Sequence, residues 1–233
     1  MLKNYPPENG WIFRGQSDIS WPVKPKAGRL EYYVKGGIES RKQSQVQGDL
    51  ERFEIWRERI LNIFTQLPDN HFDCLGYAQH YGLATRLLDW TTNPLVALFF
   101  AIEGKNEQQK DGVVLFYKPQ WQIIDPKKQD PHSPILGCAI LRLEATVRYP
   151  RIVAQKGLFT YHYNPIVEIN QNELNKVTIP AKIKVALLNE LGEIGICRDT
   201  LFPDMEKIAH QVNQETQEIA KREQDEESRI YGI

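Results

Sequence analysis

A short segment in the first half of the chain carries several side chains that could bind a ligand or act on it. These candidate residues are His80, Tyr81, Arg86, Asp89 and Trp90. A guanidinium binds phosphate or carboxylate, and an imidazole or a carboxylate can transfer protons. Because a purely structural turn does not need so many polar groups, the segment predicts a functional site.

The same segment leads into an apolar helix whose N-terminus is predicted to be open to a ligand. Asn93 is a good N-cap, and Pro94 occupies the first helical position, where proline fits best. Thr91 and Thr92 add hydroxyl groups in front of the free N–H groups, which together favour an anion or a ribose-phosphate. The alternative is that these residues only cap the helix, which is a common use of Thr and Asn.

An early strand supplies a second candidate position. Residues 11–17 are predicted to form a strand with Arg14 on the face opposite Trp11 and Phe13. Arg14 is suited to bidentate recognition of phosphate or carboxylate, and Gly15 would let a ligand approach the backbone. The alternative is a surface arginine whose aliphatic stem lies on a neighbouring tryptophan.

Length and composition predict a chain of balanced charge in a reducing compartment. Its 233 residues include 29 Lys and Arg against 30 Asp and Glu, for a net charge of -1. This balance gives no global footprint for nucleic acid but leaves room for a local basic groove. The 3 cysteines are widely spaced, which favours reduced thiols. Since the sequence shows no signal segment and no membrane-spanning run, a cytoplasmic protein with no membrane partner is expected.

Several enzyme and metal-binding templates are missing from the sequence. It contains no Gly-x-Ser-x-Gly, no P-loop and no Gly-x-Gly-x-x-Gly. No set of His and Cys residues reaches four metal ligands, so no metal is predicted.

The order of predicted elements indicates an α+β fold with a small, mostly antiparallel sheet flanked by helices. Residues 1–212 are predicted to form this domain, and residues 151–160 are predicted to be a strand, a turn at Gly157 and a further strand. Residues 213–233 are almost wholly charged and polar. They are predicted to form a solvated helix or a frayed tail.

The chain resembles the FRG domain family, which is named for a Phe-Arg-Gly triplet. The triplet stands at residues 13–15, and the resemblance includes residues 79–101, 151–160 and 200–204. It covers roughly residues 9–210. The family is found widely in bacteria and phages, and membership by itself implies little chemistry.

The order of elements is also similar to that of the ADP-ribosyltransferase fold, in which three separate motifs build a cleft for NAD. This resemblance implies that Arg14, followed by Gly15 and Gln16, would hold the ribose or a phosphate of NAD. It also implies that the turn at Thr91, with the start of the following helix, would line the nicotinamide-ribose pocket. The cofactor-binding residues it implies are Arg14, Gly15, Gln16, His80, Tyr81, Arg86, Trp90, Thr92 and Asn93.

The third motif of that fold is a catalytic glutamate on a later strand, and here Gln155 stands at the matching place. A neutral glutamine loses most of the electrostatic help that a carboxylate gives to an oxocarbenium-like transition state. Either Asp89 or Glu168 replaces that acid, or the site binds without efficient turnover. The implied catalytic residues are Arg14, Asp89, Thr91 and Gln155.

Two hypotheses follow. In the first, the protein cleaves NAD as an ADP-ribosyltransferase or NAD glycohydrolase, with a protein or nucleic acid as acceptor, in a bacterial or phage defence or toxin system. In the second, it is a non-catalytic binding or regulatory module for a nucleotide, a nucleic acid or a protein. Gln155 favours the second hypothesis, as do aromatic residues that could stack on a base.

Overall fold

The fold is an α+β arrangement around one antiparallel sheet. The structure of the protein is a computed structural model that describes residues 4–32, 48–63, 67–119, 141–143, 149–204 and 216–217. Apart from 216 and 217, the predicted tail at residues 213–233 lies outside this range. The strands are β1 Ile12–Gln16, β2 Leu87–Thr91, β3 Gly112–Tyr117, β4 Leu141–Leu143, β5 Gly157–Tyr161 and β6 Leu174–Ile179. The helices are α1 Gly48–Leu61, α2 His71–His80, α3 Pro94–Ile102, α4 Pro150–Ala154, α5 Lys184–Glu193 and α6 Arg198–Leu201.

The six strands follow the order β4-β5-β2-β1-β3-β6, and every neighbouring pair is antiparallel. The predicted fold class is therefore confirmed. Strand β1, although first in the chain, lies in the middle of the sheet. Its neighbours are β2 and β3, so residues of β1 are surrounded by strands that come later in the sequence.

The sheet separates two apolar layers, as the alternation in β1 predicted. Phe13 packs in a cluster with residues of α3, and Trp11 lies against the same cluster. Ile12 packs on the opposite face with Leu88 and Trp90. Because alternate residues of a strand share a face, Arg14 lies on the Ile12 side.

Helix α3 begins as predicted, with Asn93 as its N-cap and Pro94 at its first position. The Asn93 side chain accepts a hydrogen bond from the Leu95 backbone N–H at 3.0 Å. The helix lies directly on β1, because a Cβ atom added to Gly15 would stand only 1.9 Å from the Ala97 carbonyl oxygen. The missing side chain at Gly15 therefore makes room for α3, which is a second reason for a glycine here beside the predicted approach of a ligand.

The segment before β5 differs from the prediction. Residues 150–154 form the short helix α4 instead of a strand, with Pro150 at its first position. Ile152 turns its β-branched side chain onto the cluster around α2, and this packing outweighs its preference for a strand. Gln155 is thus the C-terminal cap of α4, not a strand residue.

Among the helices that the structure describes, none is both long enough and apolar enough to cross a bilayer.

Candidate functional site

The central strands β1 and β2 diverge and leave a cleft between them. Within the described chain they pair only at Phe13 and Thr91, whereas β1 pairs with β3 along its whole length. The Asp89 carbonyl of β2 is therefore not satisfied by a β1 amide. Arg14 fills the gap, since its Nη1 donates to that carbonyl at 2.8 Å.

Two adjoining cavities of about 280 and 190 Å³ open at this point. The residues that line both cavities are Arg14, Asp89, Trp90, Arg151 and Gln155. The smaller cavity adds Phe13, Gly15, Thr91 and Phe100 to this lining. The structure therefore brings Arg14, Asp89, Thr91 and Gln155, which the sequence predicted to be catalytic, to one cleft.

The larger cavity is strongly basic. Four cationic side chains line it, from Arg14, Lys26, Arg29 and Arg151. Asp89, which is exposed, is the one carboxylate among the described lining residues. A concave site with this excess of positive charge favours an anionic ligand.

Arg14 keeps its charge in this setting. Burial lowers the pKa of Arg14 to about 10, the charge of Asp89 opposes the shift, and the charge of Arg29 adds to it. At neutral pH the guanidinium is therefore protonated, and it can bind an oxyanion.

A buried chain of hydrogen bonds lies behind the cleft. Trp90 Nε1 donates to Thr160 Oγ1 at 2.9 Å, and this hydroxyl lies 2.9 Å from His162 Nε2. Since an indole N–H is a donor only, the hydroxyl proton of Thr160 is free to point to the imidazole. Burial lowers the pKa of His162 to about 3, and the charge of Arg14 contributes. His162 is therefore neutral at physiological pH.

Gln155 is fixed to the C-terminal part of the fold. The side-chain Nε2 of Gln155 donates to the Leu201 carbonyl at 3.0 Å. The backbone carbonyl of Gln155 accepts from Thr91 Oγ1 at 2.7 Å. Of the two acids that the sequence offers in place of the glutamate, Asp89 lines the cleft, whereas Glu168 lies outside the lining of both cavities.

The groups predicted to bind an anion at the start of α3 form hydrogen bonds within the protein instead. Thr91 Oγ1 accepts the Asn93 N–H at 2.9 Å while donating to Gln155, so both of its capacities are used. The Thr92 hydroxyl oxygen lies 3.5 Å from the Lys156 carbonyl oxygen, and the Thr92 backbone N–H donates to the same carbonyl. The side chain of Asn93 caps the helix. These groups tie β2 and α3 to the turn before β5, which is the capping alternative.

Arg86 was predicted to bind the cofactor, and this prediction is wrong. Its side chain is fully buried, and its Nε and Nη2 donate to the two carboxylate oxygens of Asp49 at 2.7 Å each. Nη1 donates to Tyr161 Oη at 3.1 Å. Burial alone would lower the pKa of Arg86, but the hydrogen bonds and charge of Asp49 outweigh it and raise the pKa. Arg86 is a structural ion-pair residue.

The remaining predicted residues differ in whether they line the cleft. His80 lines the larger cavity and stacks on Tyr149, with ring centroids 5.8 Å apart. Burial lowers the pKa of His80, and the charge of Arg151 contributes, so the neutral form is favoured. Gln16 and Tyr81 lie outside the lining of both cavities. Gln16 is buried and donates to the Pro22 carbonyl at 3.4 Å, and Tyr81 is 64% exposed.

Three cationic residues of the cleft were missed by the sequence prediction. Lys26 and Arg29 come from the loop after β1, and Arg151 comes from α4. The guanidinium of Arg151 lies 4.5 Å from the centroid of the Phe202 ring, a cation–π contact that holds it at the cleft wall. The basic residues between 24 and 29 are a sequence signal for an anion-binding loop. Nothing in these residues predicts that the loop packs beside β1 and β2.

In the part of the chain that the structure describes, no group of three or more His, Cys, Asp or Glu side chains is arranged to hold a metal ion.

Comparison with known proteins bears on the first half of the chain. No curated protein and no solved structure matches it. Residues 9–110 match the family model of the FRG domain, and this range includes the Phe-Arg-Gly triplet, β2 and α3. The match ends before α4 and β5, which the sequence resemblance also included. The similarity to the FRG domain therefore extends over residues 9–110, which is less than half of the chain.

Proposed function

We propose that the cleft binds NAD and that the protein is an ADP-ribosyltransferase-like enzyme that consumes it. The observation that carries the proposal is the junction of a basic cavity with an aromatic one at Arg14 and Asp89. NAD combines an anionic diphosphate with a flat aromatic ring that carries an amide, and these two parts need environments of these two kinds.

In this arrangement the diphosphate lies in the larger cavity, where the cationic side chains stand. The nicotinamide ring lies in the smaller cavity, against Phe100. The ribose between them then passes Asp89, which lines both cavities.

The reaction breaks the bond between ribose C1′ and the nicotinamide nitrogen. The bonding electron pair leaves with nicotinamide, and positive charge develops on the ribose. The Asp89 carboxylate stabilises that charge, which is the role that neutral Gln155 does not supply. A hydroxyl group of a protein or nucleic-acid acceptor, or water, then attacks C1′, forms the new C–O bond and gives its proton to Asp89.

The test combines NAD binding by calorimetry with nicotinamide release on the same samples. Arg14→Ala is expected to weaken NAD binding by about tenfold to a hundredfold, because a charge-assisted hydrogen bond is lost. Asp89→Asn is expected to keep NAD binding and to slow nicotinamide release by about a hundredfold or more. Glu168→Gln, an exposed carboxylate outside the cleft, is the matched control. Unchanged release by Asp89→Asn, or unfolding of Arg14→Ala, would contradict the proposal.

The proposed cellular role, in a toxin or phage-defence system, rests on the family resemblance. If it holds, expression of the wild type in a bacterial host should deplete NAD and arrest growth, whereas expression of Asp89→Asn should not.

A second function is favoured by one observation. The amide of Gln155 is held by the Leu201 carbonyl at the place where the transferase fold has its acid. A binding module that recognises a nucleotide, a nucleic acid or a protein without chemistry would tolerate this residue. In that case NAD or ADP-ribose binds to the wild type, and no nicotinamide is released.

A further inference from the structure

Two guanidinium groups of the larger cavity lie close enough to repel each other. Arg14 and Arg29 both line it, and the charge of Arg29 disfavours protonation of Arg14. Like charges in a site sheltered from water repel more strongly than at an open surface. An arrangement of this kind is relieved when an anion lies between the two groups.

Both guanidinium groups also carry an unused donor. The Nε atoms of Arg14 and Arg29 are shut off from solvent and have no hydrogen-bond partner among the described residues. Buried polar groups in folded proteins are nearly always paired, so two such donors in one cavity require an explanation. A ligand that brings acceptor oxygens supplies it.

Neither the carbonyl nor the carboxylate of Asp89 accepts a hydrogen bond from these donors. The Asp89 carbonyl accepts from Arg14 Nη1 at 2.8 Å. The Asp89 carboxylate, which is exposed, is the only acid that lines this cavity within the described chain. One carboxylate does not neutralise the four cations around it.

We propose that Arg14 and Arg29 form a subsite for one phosphate or diphosphate group, whose oxygens accept hydrogen bonds from the two guanidinium groups. This deepens the proposed function, on which the identity of the nucleotide rests, and names the part of the ligand that Arg29 recognises. A guanidinium suits this task because its donors form a planar fork that matches two oxygens of a phosphate.

Two further cations are placed to strengthen the subsite. Lys26 lines the same cavity, with its Nζ 4.9 Å from the centroid of the Tyr32 ring. Arg151 is held against Phe202 on the α4 side. Lys26 comes from the loop after β1 and Arg151 from α4, so separate parts of the chain supply the cations of this cavity.

The probe for the test is inorganic pyrophosphate, titrated at constant ionic strength. Arg29→Ala is expected to bind it about tenfold to a hundredfold more weakly than the wild type. Arg29→Lys, which keeps the charge but loses the fork, is expected to give an intermediate affinity. Arg57→Ala is the matched control, because Arg57 is an exposed arginine that pairs with Glu54 outside the cleft.

A second measurement separates ligand recognition from a structural role. Without pyrophosphate, Arg29→Ala should have a Tm equal to that of the wild type or higher, since a repulsive charge has been removed. With pyrophosphate, the wild type and Arg57→Ala should gain in Tm and Arg29→Ala should gain much less. An equal gain in Arg29→Ala and the wild type, or a loss of Tm in Arg29→Ala without ligand, overturns the proposal.

The outcomes also distinguish this subsite from the proposed enzyme. If pyrophosphate binds in an Arg29-dependent manner but NAD and ADP-ribose do not, the subsite stands and the NAD proposal fails. If NAD binds and Arg29→Ala binds it equally well, the enzyme proposal stands and the subsite is wrong. If ADP-ribose and pyrophosphate compete and both need Arg29, both proposals are supported.

Discussion

Arg14 and Arg86 suggested the same role in the sequence, yet they have different partners in the structure. Arg86 has a carboxylate partner, Asp49, which lies 37 residues earlier in the chain and folds against it. Arg14 has only a backbone carbonyl as its hydrogen-bond acceptor in the described residues. A residue type alone could not separate the two, because the difference lies in a tertiary contact.

The buried ion pair should be important to stability. Asp49→Asn removes one charge and leaves Arg86, which is fully buried, without its counter-ion. The free energy of unfolding is expected to fall by about 3–5 kcal/mol, as measured by urea denaturation. Glu54→Gln removes the exposed pair with Arg57 and should cost about 1 kcal/mol or less. An equal loss in the free energy of unfolding in the two variants would show that the buried ion pair stabilises the fold no more than the exposed one.

His162 should make stability depend on pH. In the folded state its pKa is about 3, whereas an unfolded histidine titrates near about 6.5. Between these values the unfolded chain binds a proton that the folded chain does not, so stability falls as pH decreases through this window. Above the window the full stability is present, and the loss is on the order of a few kcal/mol.

The measurement for His162 is urea unfolding of the wild type and His162→Gln at several pH values between 7 and 4. Glutamine keeps a polar group near Thr160 but does not titrate, so the variant should lose less stability over this range. Parallel pH profiles for the two proteins would assign the acid sensitivity to other groups.

At the scale of elements, the contact between β1 and α3 depends on one missing side chain. Gly15→Ala would place a methyl group 1.9 Å from the Ala97 carbonyl oxygen, so α3 must shift. We expect a loss of about 3 kcal/mol or more in the free energy of unfolding. Gly192→Ala in α5 meets nothing within 4 Å and should be neutral or stabilising, by up to about 1 kcal/mol. Thermal or urea unfolding of both variants tests this, and a tolerated Gly15→Ala would contradict it.

Elements with strong local signals were predicted well. Alternating aromatic residues identified β1, and Asn93 followed by Pro94 fixed the start of α3. Helix α4 was missed although Pro150 stands at its first position, a usable signal. The β-branched pair Ile152 and Val153 suggested a strand instead. So short a helix is held by packing that the sequence does not display.

At the scale of the molecule, the cleft combines residues that no single segment contains. Arg14 and Asp89 lie on the two strands that diverge, and Gln155 joins them through the hydrogen bond with Thr91. This part of the site could be predicted from the motifs. The cations Arg29 and Arg151 could not, because a loop and a short helix carry them to the cleft through contacts distant in sequence.

The FRG match covers the middle of the sheet but not its outer strands. In the order β4-β5-β2-β1-β3-β6, the match at residues 9–110 contains β1 and β2, and β3 begins just beyond it. Strands β5 and β6, which cover the outer edges of β2 and β3, come from later in the chain. A fragment extended to residue 119 would therefore hold three strands with both outer edges exposed.

We expect the fragment of residues 9–119 not to fold cooperatively. Exposed strand edges favour aggregation, and the apolar face of β2 would lose the β5 side chains that pack beside it. The fragment would also lack Arg151 and Gln155. Circular dichroism with urea unfolding, compared with the full chain, is the measurement. A cooperative transition together with pyrophosphate affinity equal to that of the full chain would show that the FRG segment alone builds the site, and that the later strands only cover it.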